Sequence, residues 1–472
     1  MSHGQTTTGA DFHARSAAAM AQPGLSAAVS GAVLRQYEGR KALLPELGDP
    51  LAVRQLAAEI KSHTLQHLDQ YLSLFCENVR RHGGHVHFAR TGEQAGEIIR
   101  QIARDHGVKR IVKAKSMASE EIHLTAALEA DGIETVETDL GEFIVQVGED
   151  KPSHIVTPVI HMTTPQIARL FEKVLGTPYT EDPEVLTRAA RVHLREKFRA
   201  ADMGICGCNV GVAETGTVAI VTNEGNGRLS TTHPRVVVSL MGIEKLVPTM
   251  KDLAVIVKLL AKSSTGQRLT VYTNLMSGSK RPADLDGPEE FHVVLLDRGR
   301  TRILASEYQE LLRCIRCGAC LNACPVYRTI GGHAYNSVYP GPIGSLLTPL
   351  FEDFSEYKDL PNACSLCEAC LDACPVRISL PALLIRMRDE LRREGHMHWF
   401  QRLAFRAWRW GMLSHALYGM GNRMGRLWDW LAPRGWHRRA MPPFSIWTKY
   451  RDLPVMAKRP FFKMWDDLNP SA

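Results

Sequence analysis

The chain has 472 residues, 44% of them hydrophobic and 23% charged, which is too long for one ordinary core and too apolar for a disordered or fibrous protein. Its formal charge of +7 is concentrated: residues 401–472 carry thirteen Lys or Arg against four Asp or Glu, a local balance of +9, and the remainder is slightly acidic. That distribution excludes a general nucleic-acid binder, and no nucleic-acid partner is expected; it points instead to one basic docking surface in a protein of about three domains.

Residues 1–50 contain no apolar run of signal-peptide length and read as a flexible leader. In 51–82, Leu65, Leu68, Leu72, Phe75 and Val79 recur at steps of three and four, which predicts a helix with one apolar face. Cys76 lies beside that face and reads as a buried, inert thiol. From His85 the pattern alternates. HVHFAR, KRIVKAK, IETVETDL and HIVTPVIHM read as strands, with helices between the first three and further helices around 163–174 and 183–202. Strand-like runs return at 217–223, 235–241, 268–274 and 291–297. Alternation of this kind predicts an α/β domain over 51–300 built on a mostly parallel sheet.

Two loops in this region gather chemistry. KAKSMASEEI (113–122) runs from strand into helix, with Ser116 or Ser119 as cap and Glu120 and Glu121 in the first turn. Open α/β sheets bind ligands at such strand ends, so Lys113, Lys115 and Ser116 are candidates for an anionic ligand. The same residues would also make an ordinary capped helix with solvated lysines. The second loop, 211–235, collects Glu214, Gly216, Glu224, Gly225, Gly227 and Arg228 around one strand. Glycines allow close backbone approach, and Glu with Arg could orient a ligand; as turn chemistry alone they would close a hairpin. Cys206 and Cys208, just before it, are too few for a cluster and read as packing thiols. No G-x-G-x-x-G follows a strand, so no flavin or nicotinamide is assigned.

The cysteines then dominate. CIRCGACLNACP (314–325) and CSLCEACLDACP (364–375) share the form C-x2-C-x2-C-x3-C-P, and hold eight of the eleven cysteines. This is the run that delivers thiolates to a [4Fe–4S] cluster, and in two-cluster ferredoxins its fourth cysteine serves the other cluster. Two [4Fe–4S] clusters are therefore expected, one on Cys314, Cys317, Cys320 and Cys374, the other on Cys364, Cys367, Cys370 and Cys324. Zinc sites and disulfide frameworks have no need of one four-cysteine spacing repeated. Cluster thiolates stay reduced, which points to the cytoplasm. The surrounding sequence is helical in character, with an amphipathic helix over 379–395 and a Gly- and Pro-rich segment over 327–344 able to bring N–H groups near sulfur. Glu368 stands where the first motif has Gly318, so the second cluster should have the lower potential.

All eight tryptophans lie beyond residue 398, interleaved with arginines. The expected mixture is rings packed internally and arginines facing a partner subunit or an anionic membrane surface. No segment qualifies as a membrane span.

The stretch AETGTVAIVTNEGNGRLSTTHPRVVVSLMGIEKLVPT (213–249) resembles the signature of the LUD domain, and KRPADLDGPEEFHVVLLDRGR (280–300) resembles its end. With two ferredoxin motifs and a Trp/Arg-rich tail, the whole chain resembles the LUD-containing iron–sulfur proteins of lactate utilisation. The resemblance implies an α/β LUD domain (ribose-phosphate isomerase/CoA-transferase-like) over 51–300, an α-helical dicluster ferredoxin over 301–395, and a helical C-terminal region over 396–472. It implies an electron-transfer subunit of an L-lactate-oxidising complex, passing electrons toward the respiratory chain. The implied partners are a cysteine-rich protein and a second LUD-domain protein, with a peripheral membrane or quinone-linked acceptor contact through the C-terminal region at the inner face of the cell membrane. Two other readings stay open. The LUD domain could itself act on an acyl-CoA or sugar phosphate, with Glu214 or Glu224 as nucleophile or base, or the chain could be a redox-sensing scaffold.

Overall fold

Short apolar runs such as VVVSLM and FHVVLL leave no polar face, and parallel strands covered on both sides are the arrangement that suits them. The computed structural model describes residues 12–396, 399–431, 457 and 459–468. Its strands are β1 His85–Ala89, β2 Arg110–Lys113, β3 Glu134–Glu137, β4 Met203–Cys206, β5 Val210–Val212, β6 Thr217–Thr222, β7 Val236–Gly242, β8 Leu246–Val247, β9 Tyr272–Met276 and β10 Glu290–Leu296. Six of them form a wholly parallel sheet in the order β1-β10-β7-β4-β2-β3. The central strand β7 is buried along its entire length.

A second, four-stranded sheet has the order β8-β5-β6-β9. Its β5–β6 hairpin turns at Gly216, where φ is +66° and an added Cβ would lie 2.5 Å from the backbone nitrogen of Val79. Only glycine fits there.

Three expectations are corrected. His154–Met162 is a run of turns, not a strand. Pro152 and Pro158 cannot donate, and the N–H groups of Val156 and Thr157 are taken by Nδ1 of His154 at 3.0 and 3.1 Å, so no ladder forms. The fourth strand of the parallel sheet is β4 instead. Second, the N-terminal stretch read as a flexible leader forms helices Phe12–Ala21 and Leu25–Leu43, with Val29 and Val33 fully buried. Leu25, Val29 and Val33 follow at steps of four, and this face packs on the helices Ala319–Ala323 and Pro325–Ile330 of the first cysteine motif. Third, the helix expected over 51–82 is two, Pro50–Gln66 and Leu68–Arg81, broken at His67.

The cysteine-bearing region is helical: among the described residues no strand follows Leu296. One apolar core joins Val29 and Val33 to Leu253 and Ile256, and continues through Leu311, Leu346 and Leu384. Residues to Glu390 make one compact unit and those from Leu391 a second. The second unit contains helices Trp399–Leu413, His415–Leu431 and Phe461–Leu468. Within this second unit Trp399, Trp408, Trp410 and Trp465 are not covered by its own helices, and the side chains of Trp428 and Trp430, with Trp436 and Trp447, lie outside the described residues. No single described helix is long and apolar enough to cross a membrane.

Candidate metal centre

The two cysteine motifs fold alike. In the first, Arg316 and Gly318 adopt φ of +59° and +74°; in the second, Leu366 and Glu368 adopt +56° and +63°. Left-handed backbone costs a side-chain-bearing residue about 1–3 kcal/mol and persists only where the surroundings require it. Here it turns N–H groups onto sulfur. Arg316 N–H donates to Cys314 Sγ at 3.4 Å, and Leu366 N–H to Cys364 Sγ at 3.3 Å. The fourth cysteine of each motif opens a new segment. Cys324 caps the helix Pro325–Ile330, its Sγ accepting from Tyr327 N–H at 3.5 Å, while Cys374 Sγ accepts from Ile378 N–H at 3.3 Å.

The short helices Ala319–Ala323 and Ala369–Ala373 pack on each other, which carries each fourth cysteine toward the opposite motif. Burial pushes Cys317 up to about 12, and the neighbouring thiols of Cys314 and Cys374 act in the same direction. Burial raises Cys374 to about 11, with Cys314 beside it. Burial likewise raises Cys324 to about 11, and its thiol neighbours are Cys364 and Cys367. Cys370, raised to about 12 by burial, feels Cys364, Cys324 and Cys367. Cys374 thus lies near thiols of the first motif and Cys324 near thiols of the second, while Cys320 neighbours Cys370 as well as Cys314, Cys317 and Cys374. A bound cation is what makes thiolate the stable form of such buried thiols. The donor set suits iron–sulfur ligation in number and type.

The two motifs differ in setting. Gly318 backs onto His154, whose Cε1 would lie 3.1 Å from an added Cβ. His154 is itself buried, and burial drops its pKa to about 3, so it is neutral, with Nε2 donating to Asn322 Oδ1 at 3.2 Å. Glu368, by contrast, is exposed, as is Cys367.

At the carboxyl ends of the parallel strands, between the sheet and the first cysteine loop, lies a cavity of about 270 Å³. Lys115, Ser116 and Glu224 of the sequence-derived candidates line it. Lys115 Nζ donates to Val156 O at 2.7 Å, and Ser116 caps the following helix through Ser119 N–H at 3.2 Å. Lys113 is committed elsewhere: fully buried, it bonds Glu137 at 2.7 Å and Glu120 at 3.0 Å. Glu214 accepts from Met250 N–H at 3.0 Å and caps the helix Met250–Ser264. Arg228 faces a larger open groove of about 1030 Å³, which shares Glu224 and Asn226 with the cavity. Cys206 is buried, and burial raises its thiol and that of the cavity-lining Cys208 to about 12, so both are inert.

Sequence reasoning did not find the charged network at the base of this cavity. Arg300 bonds Glu121 at 2.9 Å and Glu244 at 2.6 Å, all three almost wholly buried. Burial opposes the ionisation of Glu244, but Arg300 and Arg316 outweigh it and hold the carboxyl at about 2. Tyr339 O–H donates to Glu121, and its ring lies 4.7 Å from the Arg316 guanidinium. Lys61 adds bonds to the carbonyls of Glu244 and Leu246 at 2.5 and 3.0 Å. These residues are far apart in sequence and form no motif; only the meeting of the sheet with the cysteine loop assembles them.

Comparison with known families follows the same division. A LUD domain model matches residues 72–296, and a 4Fe-4S dicluster domain model matches 310–378. Lactate utilization protein B of Bacillus subtilis is 44% identical over 459 residues, covering 94% of this chain and 93% of that protein. The proteins of the same description from Geobacillus kaustophilus (46% over 437 residues, 92% of each chain) and Bacillus licheniformis (44% over 455 residues, 93% of each) match equally fully. A solved DUF162 family protein from Deinococcus radiodurans aligns with a TM-score of 0.28 at 12% identity, over 48% of this chain and 98% of that one, too distant to bear on the fold.

Proposed function

The chain belongs to the lactate utilization protein B family, and from that premise we propose that it is the iron–sulfur electron-transfer subunit of a lactate-oxidising complex, without autonomous catalysis. What supports this reading is the repeated C-x2-C-x2-C-x3-C-P motif, matched by the 4Fe-4S dicluster domain model over 310–378, with each fourth cysteine near thiols of the opposite motif. Cys314, Cys317, Cys320 and Cys374 would hold one [4Fe–4S] cluster, and Cys364, Cys367, Cys370 and Cys324 the other. Bound clusters supply one-electron redox chemistry. The chain's own part is to fix their spacing through the packed helices Ala319–Ala323 and Ala369–Ala373, and to donate N–H groups to sulfur, which favours the more negative, reduced state.

The functional division we infer is 51–300 as LUD domain, of the ribose-phosphate isomerase and CoA-transferase-like kind, 301–395 as ferredoxin, and 396–472 as contact region. Helices 12–43 brace the ferredoxin. The partners are a cysteine-rich protein and a second LUD-domain protein, and the exposed Trp and Arg residues of the C-terminal helices face the acceptor side at the inner membrane surface. For a LUD-domain reaction on an acyl-CoA or sugar phosphate, Glu214 is spent on a helix cap, whereas Glu224 lines both the cavity and the adjoining groove of about 1030 Å³ and remains the candidate nucleophile or base. The test is purification of the tagged protein from its native host. Recovery of both partners, with lactate-dependent bleaching of the cluster absorbance, is the expected result; clusters that lactate never reduces in the assembled complex would leave a sensing scaffold instead.

A further inference from the structure

The cavity beside the first cysteine loop holds a cation with unused donors. Arg316 is 7% exposed, and two of its guanidinium nitrogens, Nε and Nη1, have no hydrogen-bond partner. Its third, Nη2, reaches Glu244 only at 3.4 Å. The two buried carboxylates nearby, Glu121 and Glu244, share Arg300 at 2.9 and 2.6 Å, so Arg316 completes their counter-charge, but it does so through Nη2 alone and leaves its other two nitrogens free toward the cavity. Lys245 lines the same cavity and adds a further positive charge. Asn226, 5% exposed, also leaves its Nδ2 without a partner, and it lines both the cavity and the outer groove. Buried donors left unsatisfied are costly, about 1–3 kcal/mol each, and a native protein that keeps several around one void has a partner for them.

The shape and charge of the void narrow that partner. At about 270 Å³ it falls just below the roughly 300–1,000 Å³ of drug-sized ligand pockets, so the ligand is small. Ile155, Ile220, Leu240 and Leu260 give part of it an apolar wall, suited to a short carbon body. Asp139 and Glu224 also line it, and they would repel a second negative charge on the ligand. A guanidinium suits carboxylate recognition. The outer groove, lined by Arg191, Arg195, Arg199 and Arg228, gives anions an attractive approach to Asn226. We propose that this cavity is a binding site for a small monocarboxylate, with Arg316 and Lys245 as its cations and Asn226 as the donor at its entrance.

The inference goes beyond the electron-transfer reading and stands independently of it. The competing role for Arg316 is counter-charge to the Glu121–Glu244 pair and the Cys314 thiolate, which would need no ligand. The experiment is titration calorimetry on the full-length, iron-replete, oxidised protein, with L-lactate, pyruvate, succinate and inorganic phosphate as probes. Saturable one-to-one binding of L-lactate or pyruvate is expected. Asn226→Asp should weaken it at least tenfold at unchanged iron content, and Lys245→Gln should weaken it by a smaller factor. Arg316→Gln should abolish it, but this residue neighbours Cys314, so the other variants carry the test if that one loses iron. The proposal is overturned by no saturable binding of either monocarboxylate, by full-strength binding in Asn226→Asp and Lys245→Gln, or by succinate or phosphate binding as tightly as pyruvate. None of these readouts involves cluster reduction, so failure here is distinct from failure of the electron-transfer reading.

Discussion

The proposed exchange of the fourth cysteine between motifs gives the sharpest expectation, and single substitutions test it. Cys374 has Cys314 and Cys317 as thiol neighbours, while Cys324 has Cys364 and Cys367. Cys374→Ser should therefore damage the site built mainly from the first motif, and Cys324→Ser the site built mainly from the second. Each variant should drop from about eight irons per chain to about four, since a cubane holds four. Iron content alone does not say which site was lost, but exposure does. Cys317 is 7% exposed whereas Cys367 is exposed, so a chelator should strip the second site first. The assay is iron release against time with a ferrous chelator. Cys374→Ser should retain fast-released iron, and Cys324→Ser only slow-released iron. The opposite pattern would refute the exchange, because each fourth cysteine would then serve its own motif.

Other outcomes follow from the same packing. Arg300→Met leaves Glu121 and Glu244 buried without their main cation and should cost about 3–5 kcal/mol in denaturant unfolding, whereas a loss under 1 kcal/mol would mean water already screens them. Burial, reinforced by Asp139, raises Glu224 to about 7, although Leu140 N–H and Lys115 oppose this. A carboxyl raised on folding adds stability that is full below its unfolded value, near 4.5, and is lost as pH rises through about 7. Glu224→Gln should accordingly flatten the stability profile between those limits, and monocarboxylate binding, expected to weaken above pH 7 in the parent protein, should lose that dependence. Truncation after Gly395 removes the second unit's helices but leaves both motifs, so iron should be retained while partner or membrane association is lost. In the intact chain that association should weaken with salt, as exposed charges are screened within about 10 Å at 0.1 M. An iron-free, insoluble truncation would make the exposed rings part of a core.

The cysteine motifs were legible because their chemistry is local: spacing alone marks a 4Fe-4S dicluster domain, and the family model matches over 310–378. The parallel sheet was legible in its long apolar strands, β7 and β10, and in the alternation around β1 to β3. It failed where tertiary context decides. β4 (MGIC) and β5 (VGV) are short and contain glycine, so their own sequence barely distinguishes them from loop, and they form because neighbours supply the ladder. His154–Met162 has the apolar content of a strand but a histidine that captures its N–H groups. The N-terminal helices looked unstructured because alanine-rich sequence shows little amphipathic contrast; their burial against the cysteine helices supplies what periodicity did not. At the cavity, Lys115, Ser116 and Glu224 could be anticipated from strand-end position. Arg316 could not, since a residue between two cluster cysteines is read as spacer until the sheet is placed above it.

The two cysteine sites share a backbone but not an electrostatic setting, and this orders them. N–H donors onto sulfur are matched: Arg316 and Ile378 serve the first set, Leu366 and Tyr327 the second. Charge is not matched. Around the first set, Arg54 donates to Cys374 O at 2.7 Å, Arg40 to Asp372 O at 3.1 Å, and Arg316 and Lys61 act on Cys314 from the other side. Beside the second set stand a cation, Arg388, which donates to Cys364 O at 3.0 Å, and Glu368, whose exposure lets water screen it. Several buried and half-buried cations around the first site, against Arg388 beside the second, stabilise an added electron more than an exposed carboxylate opposes one, so the larger part of the difference comes from the first site. Electrons should settle first on the Cys314 side, and in a reductive titration its spectroscopic signal should appear before the other. Arg54→Gln should lower that potential and narrow the gap, while Glu368→Gln should shift the second site by less. If Glu368→Gln gave the larger shift, exposure would not be screening that carboxylate, and the ordering would rest on the second motif's glutamate rather than on the cations that enclose the first.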